Sequence, residues 1–315
     1  MQRCQIVRVI CILSCLFLSV EAQPSRKAQE CLNRGNARYE KGDIEGAIEE
    51  FTKAIEFSSS LDNRNRNPEW NQDARPGLVS NFNNVKELDP LTAHAYANRG
   101  LARYFLRDFV GAIEDCTRAL AIQPRLPEGY NNRGMARFGQ RDYDGALRDL
   151  DHAISISPND SWIRNNRGHV RIETNDLDGA LADLNFALKI DPRLSQALYN
   201  RALVWRAKGN PNEALKDLER SLQLKPGFGW AHYERGMALM DKNEPEAAIA
   251  AFTRAIELDP RLALAYANRG LLLLNAGKKD EADRDLEQAL QIDPELKNVL
   301  DSRIEFIKKV KRGTL

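Results

Sequence analysis

The sequence predicts an all-α protein built as seven antiparallel helix pairs in tandem, and three observations carry that prediction. The tripeptide Asn-Arg-Gly, or a close variant of it, occurs seven times. From Gly100 onward its last residue returns every 34 residues, at Gly134, Gly168, Ala202, Gly236 and Gly270. Downstream of each copy a small residue, a larger apolar residue and another small residue follow at steps of four and three. Examples are Ala112, Cys116 and Ala119, then Ala146, Leu150 and Ala153. Those spacings place all three on one face of a helix. Each unit then closes on a proline: Pro90, Pro124, Pro158, Pro192, Pro226, Pro260 and Pro294. A fixed period of this length marks one supersecondary unit copied along the chain.

Taken in order, the units start at residues 28, 93, 127, 161, 195, 229 and 263. The first helix of each runs through the Asn-Arg-Gly phrase and the second through the small–large–small face. The break between them falls at steps such as Gly42-Asp43 and Asn175-Asp176, where the aspartate suits a helix N-cap. Pro211 and Pro245 fall where a first-turn proline is tolerated. The gap from Gly35 to Gly100 exceeds one period by 31 residues, which places an insertion at about 58–87. That insertion is polar and turn-rich over Asn63–Gln72, and 78–88 reads as a short helix through Leu78, Phe82 and Val85. Residues 295–312 are expected to form a capping helix with Leu296, Val299, Leu300, Ile304 and Ile307 inward and Lys308, Lys309, Lys311 and Arg312 closing it. Cations are favourable at a helix C-terminus.

Residues 1–22 read as a cleavable signal peptide. Arg3 and Arg8 precede the apolar run Val9–Val20, and Val20 and Ala22 place small residues at −3 and −1 of a cleavage site near Ala22. Twelve helical residues span about 18 Å, short of the ~30 Å hydrocarbon core, so no stable membrane span is expected. Cys15 offers an alternative lipidation point within the same segment. The mature chain is then expected to be secreted or periplasmic. Only Cys31 and Cys116 remain in it, both at apolar repeat positions, and they are expected to be free core thiols.

The chain carries 46 Lys and Arg against 45 Asp and Glu. Loss of Arg3, Arg8 and Glu21 with residues 1–22 leaves 44 of each. A protein that neutralises phosphates normally shows a basic surplus, so nucleic acid is not an expected partner.

The period, the large residue at unit position 4, glycine or alanine at 8, alanine at 20, a large apolar group at 24, a small residue at 27 and proline at 32 together resemble the tetratricopeptide repeat family. The resemblance spans the 269 residues from Ala28 to Leu296. It implies a right-handed superhelical solenoid of seven antiparallel helix pairs with a C-terminal capping helix, whose first helices line a concave groove. It also implies partners that are proteins or extended peptides. Two departures stand out: position 7 is Arg in every unit, and position 11, often Tyr in the family, is Arg38, Arg103, Arg137 and Arg171 in the first four. The Lys-x3-Asn and Lys-x3-Arg pattern with which chaperone-adaptor repeats clamp carboxylates is missing.

Position 6 is Asn33, Asn98, Asn132, Asn166, Asn200 and Asn268, broken only by Glu234. Asparagine is a mediocre helix former, and a primary amide offers a donor and an acceptor together. The column is similar to the asparagine ladder by which some repeats of this family grip a peptide main chain. Two other origins stay open: copying of one ancestral unit, and local bonding between helices. Trp162, Tyr199, Trp230 and Tyr233 are candidate groove aromatics, with core packing the alternative. The Arg at position 7 is expected to pair with the carboxylate at position 23: Glu50, Asp115, Asp149, Asp183, Asp217 or Asp285. Ala251 is the one gap.

No catalytic residues, metal ligands or cofactor are expected. The four histidines form no His-Glu-x-x-His, and there is no Cys-x-x-Cys, phosphate loop or nucleophile elbow. Two functions fit: an interaction scaffold outside the cytoplasm, or a holdase for unfolded exported chains.

Overall fold

The computed structural model describes residues 26–66 and 90–311, with side chains placed for 26–58 and 90–311. The signal segment 1–22, the short helix expected over 78–88 and Arg312 lie outside the described residues. Every regular element within them is helical, and they form two compact units, one up to Val170 and one from Arg171.

In the first unit α1 (Arg26–Glu40) pairs with α2 (Ile44–Arg66), α3 (Pro90–Phe105) with α4 (Phe109–Ile122), and α5 (Pro127–Gly139) with α6 (Tyr143–Ile156). The first part of α7 (Ser161–Glu173) completes it. The turns follow one recipe. Arg107 and Arg141 take the left-handed conformation (φ 64° each), and Asp108 and Asp142 then cap α4 and α6 by accepting from the Gly111 and Gly145 amides at 2.9 Å. Such caps contribute about 1 kcal/mol each. In α2 the insertion begins as helix. It runs 23 residues, against 14 for α4, so the chain leaves the repeat only after Arg66.

Small residues let the paired helices approach closely. A β-carbon at Gly134 would meet the Ala146 carbonyl oxygen at 3.2 Å, and one at Gly100 would meet Cys116 Sγ at 2.6 Å. Ala112, Ala119, Ala146 and Ala153 are wholly buried on the partner helices, around Cys116 and Leu150. Burying a leucine such as Leu150 contributes roughly 1.5–3 kcal/mol. Cys31 and Cys116 are both buried and free, as the repeat positions predict. Burial pushes the Cys116 thiol well up, so it packs as a small apolar group.

The second unit holds α8 (Leu177–Ile190), α9 (Ser195–Ala207), α10 (Pro211–Leu224), α11 (Gly229–Asp241), α12 (Pro245–Leu258), α13 (Ala263–Asn275) and α14 (Lys279–Ile292). A single 3-10 turn (Pro294–Leu296) leads into α15 (Lys297–Lys311). Asp176 caps α8 in the same manner as above. Asn210 and Glu244 make no side-chain cap, and Pro211 and Pro245 open α10 and α12 instead. There the missing N–H costs nothing.

The capping helix differs from expectation in one face. Leu300 is buried against Ala267, Leu271, Leu286 and Ala289, with Leu296, Ile304 and Ile307 packed around it. Val299, expected inward, is 53% exposed. At 100° per residue it lies a quarter turn from Leu300, off the stripe that steps by four through 296, 300 and 304. Lys311 Nζ donates to the Leu274 carbonyl at 2.8 Å, which ties the last turn of α15 to the end of α13.

Candidate functional site

Position 7 and position 23 form the recurrent polar contact of the fold. Asp149 Oδ1 accepts from Arg133 Nη2 at 2.7 Å, and its Oδ2 accepts from Arg133 Nε at 2.9 Å and Arg137 Nη1 at 2.8 Å. Arg99 holds Asp115 through two bonds of 2.8 Å, Arg201 holds Asp217 through two of 2.7 Å, and Arg269 holds Asp285 at 2.7 and 2.8 Å. Bidentate guanidinium–carboxylate pairs of this kind fix geometry as well as charge. Each joins the two helices of one pair, so these residues build the scaffold and do not face a ligand.

Asn132 and Asn166, the position-6 asparagines of α5 and α7, are linked into a chain of amides. Asn165 Nδ2 donates to Asn166 Oδ1 at 3.3 Å, Asn166 Nδ2 to Asn131 Oδ1 at 2.9 Å, Asn131 Nδ2 to Asn132 Oδ1 at 3.1 Å, and Asn132 Nδ2 to the Ala97 carbonyl at 3.1 Å. The chain crosses from α7 to α5 to α3. Asn98 Nδ2 donates back to Asn36 Oδ1 on α1 at 2.9 Å. Asn132 is buried, whereas Asn98 and Asn166 are half-buried. In the second unit Asn200 is buried, and Asn268 is buried with its Nδ2 on Tyr233 Oη (3.2 Å) and the Leu264 carbonyl (3.0 Å). These bonds match the local-bonding origin of the column. The partners at position 5, Asn131 and Asn165, escaped the sequence reading, although their recurrence one residue before the column was the available signal.

The candidate aromatics separate by depth. Tyr233 is buried between Trp230 (ring centroids 5.7 Å, edge-on) and Phe252 (5.7 Å), which is core packing. Tyr199 is half-buried against Phe228 at 4.8 Å, and burial pushes its phenol up, aided by Glu234. Trp162 is half-buried, with its backbone N–H on Asp160 Oδ1 at 2.8 Å. Trp230 is 42% exposed, and Leu264, at the same position of the next pair, is 38% exposed.

A hollow of about 510 Å³ opens on α9, α10 and α11, lined by Leu203, Arg206, Ala207, Gly209, Pro211 and Asp241. Arg206 forms its polar edge, with Nη1 on Glu234 Oε2 at 2.5 Å and Nε on Asp241 Oδ2 at 2.9 Å. Burial raises the Glu234 carboxyl above the usual range, and Arg206 opposes that rise. Sequence reasoning missed this group. Its signal was a pair of coincident exceptions: Glu234 breaks the asparagine column, and Arg206 is the one charge at position 12, where other units carry Tyr104, Phe138 or Met240. A hollow lined in equal part by apolar groups and by the Arg206 ion pairs can seat one apolar side chain of a peptide and orient its polar main chain.

Close-packed helix pairs, repeated with one register and joined by internal ion pairs, define a helical-repeat protein. The tetratricopeptide repeat model matches residues 28–60, 127–160, 195–228, 229–262 and 263–296, so the chain belongs to the tetratricopeptide repeat family. No curated protein matched the chain. Among solved structures, a tetratricopeptide repeat protein from Parabacteroides merdae is similar at 17% identity and TM-score 0.59, over 90% of this chain and 99% of that one. A chain in a crystal structure of the APC/C hetero-tetramer Cut9–Hcn1 is similar at 14% identity and TM-score 0.63, over 88% of this chain and 55% of that one. Pseudomonas aeruginosa PilF is similar at 19% identity and TM-score 0.57, over 64% and 92%. At these identities the likeness is one of fold. That fold supports a protein–protein interaction scaffold, and no helix of the described residues is long and apolar enough to cross a membrane.

Proposed function

We propose that the protein is a non-enzymatic scaffold acting outside the cytoplasm, which binds extended peptide segments of partner proteins on its first helices. The observation that carries this reading is the hollow beside Arg206, framed by Leu203, Ala207 and Pro211. Trp230 and Leu264 add exposed apolar surface on neighbouring first helices, the kind of group that anchors interfaces. Among the position-6 amides, half-buried Asn98 and Asn166 keep spare hydrogen-bonding capacity, since each amide nitrogen has two hydrogens and each oxygen two lone pairs. The location rests on the signal-like segment 1–22.

Photo-crosslinking capture from the exported fraction tests both parts. The wild-type chain is compared with Ala207→Arg, which fills the hollow, and Trp230→Ala, with melting temperatures measured in parallel. A defined partner lost from either variant at unchanged melting supports the reading; an unchanged partner list in both variants removes it. N-terminal sequencing of the captured protein should begin at Gln23, and a start at Met1 contradicts export. Suppressed aggregation of an unrelated unfolded client, with no stoichiometric partner, would favour the holdase instead.

A further inference from the structure

The position-23 carboxylate of the repeated ion pair is missing from the sequence of one unit. In α3–α4, α5–α6, α9–α10 and α13–α14 the position-7 arginine grips an aspartate of the second helix in two-point fashion. The α1–α2 pair uses Arg34 and Glu50, 2.6 Å apart. The α11–α12 pair keeps the arginine, Arg235, but carries buried Ala251 where the carboxylate belongs. Among the described residues Arg235 has neither a hydrogen bond nor an ion pair, and its Nε is shielded from solvent with no acceptor.

A second buried nitrogen on α11 also lacks a partner, as an acceptor. One turn earlier on α11 stands His232, at the position where Tyr96, Tyr130 and Tyr266 lie under Arg99, Arg133 and Arg269 at 5.3–5.8 Å. His232 Nε2 donates to the Pro226 carbonyl at 3.1 Å, so Nδ1, buried without a partner, is the acceptor nitrogen of a neutral ring. Glu219 on α10 stands 16 residues before Arg235, the spacing at which Asp151 pairs with Arg167 at 2.7 Å, but it forms no ion pair with Arg235. Buried polar groups in native proteins are satisfied, and each exception calls for a cause. Water does not match the requirement well, because the fork of a guanidinium is complementary to a carboxylate and leaves a full charge uncompensated otherwise.

We propose that the α11–α12 pair is a carboxylate-binding site, in which the Arg235 guanidinium receives an acidic side chain from a partner protein where the other pairs supply their own. The site is independent of the hollow beside Arg206, because it lies between a first and a second helix at the position-7 contact. A partner that presents a single Asp or Glu would complete the repeat in trans, and the interaction would gain geometric specificity from the two-point contact.

The test uses the full mature chain labelled with ¹⁵N-arginine, its Arg235 Nε–H resonance identified by its loss in Arg235→Met. Sodium acetate is titrated against sodium chloride at equal ionic strength. The expected result is a saturable shift in acetate only. In Ala251→Asp the apparent acetate affinity should fall about tenfold or more, and the melting temperature should rise, because the variant installs the missing partner. An equal response to chloride, or acetate binding unchanged in Ala251→Asp, overturns the site. Inorganic phosphate is the third arm: saturation by phosphate without saturation by acetate overturns the carboxylate and assigns the pair to a free phosphate.

Discussion

A β-carbon placed on Gly236 would lie 2.5 Å from Cε1 of the Phe252 ring. Gly35 and Phe51 stand in the same relation at 2.5 Å, whereas Gly134 would meet its partner Leu150 at 3.1 Å. The pair starting at 195 tolerates alanine, as Ala202, opposite Leu218. Ring and glycine are therefore coupled choices. Gly236→Ala should cost roughly 1–3 kcal/mol by overpacking. Adding Phe252→Leu should recover part of it, so that the double variant is more stable than the sum of the single effects. Denaturant unfolding of the four proteins measures the coupling, and strict additivity would contradict it.

The Asp149 carboxylate takes three bonds, two from Arg133 and one from Arg137, while itself buried. Asp149→Ala leaves two guanidinium groups without their acceptor and should destabilise the first unit by about 3–5 kcal/mol. Because the contact joins α5 to α6 internally, partner capture at a temperature where the variant is folded should be unchanged. A binding loss at unchanged melting would assign Asp149 to the interface.

Glu50 and Glu234 should give opposite pH responses. Lys53 holds the Glu50 carboxyl below the usual range, against the opposing effect of burial, and Arg34 adds to the lowering. Its contribution is present above about pH 4.5 and is lost as pH falls through the folded value. Burial raises Glu234, so its contribution is present below about pH 4.5 and is lost as pH rises through its folded value. Glu50→Gln should therefore destabilise the protein at neutral pH and converge with wild type in acid. Glu234→Gln should be at least as stable as wild type at neutral pH, with Arg206 still bonded to Asp241. Urea midpoints from about pH 7 down to about pH 2 distinguish the two signs.

Helix pairing was legible in the sequence because packing imposes it locally. Small residues at fixed spacing, a proline at each unit end and an aspartate at each early turn all act within one unit. The arginine–carboxylate pairs were legible for the same reason, being 16 residues apart in α1–α2, α3–α4, α5–α6, α9–α10 and α13–α14. The amide chain was not, since Asn131 reaches both its own neighbour Asn132 and Asn166 of the next helix. Its links depend on how adjacent first helices are rotated, which a period does not reveal. The hollow beside Arg206 was hidden likewise, because its walls come from three helices and only its charged edge departs from the repeat.

The rotation of α15 gives the last prediction. Leu300 is its one buried residue, while Val299 beside it is exposed. Leu300→Ala should cost roughly 2–5 kcal/mol, because Leu271, Leu286 and Ala289 cannot fully close on the space left. Val299→Ala should change stability by less than about 0.5 kcal/mol, as exposed substitutions usually do. The two residues are adjacent and both aliphatic, so propensity hardly separates them and burial does. Hydrogen exchange of the α13 and α14 amides gives the local readout: faster exchange in Leu300→Ala alone fits the cap, and equal acceleration by both variants would place Val299 on the inner face.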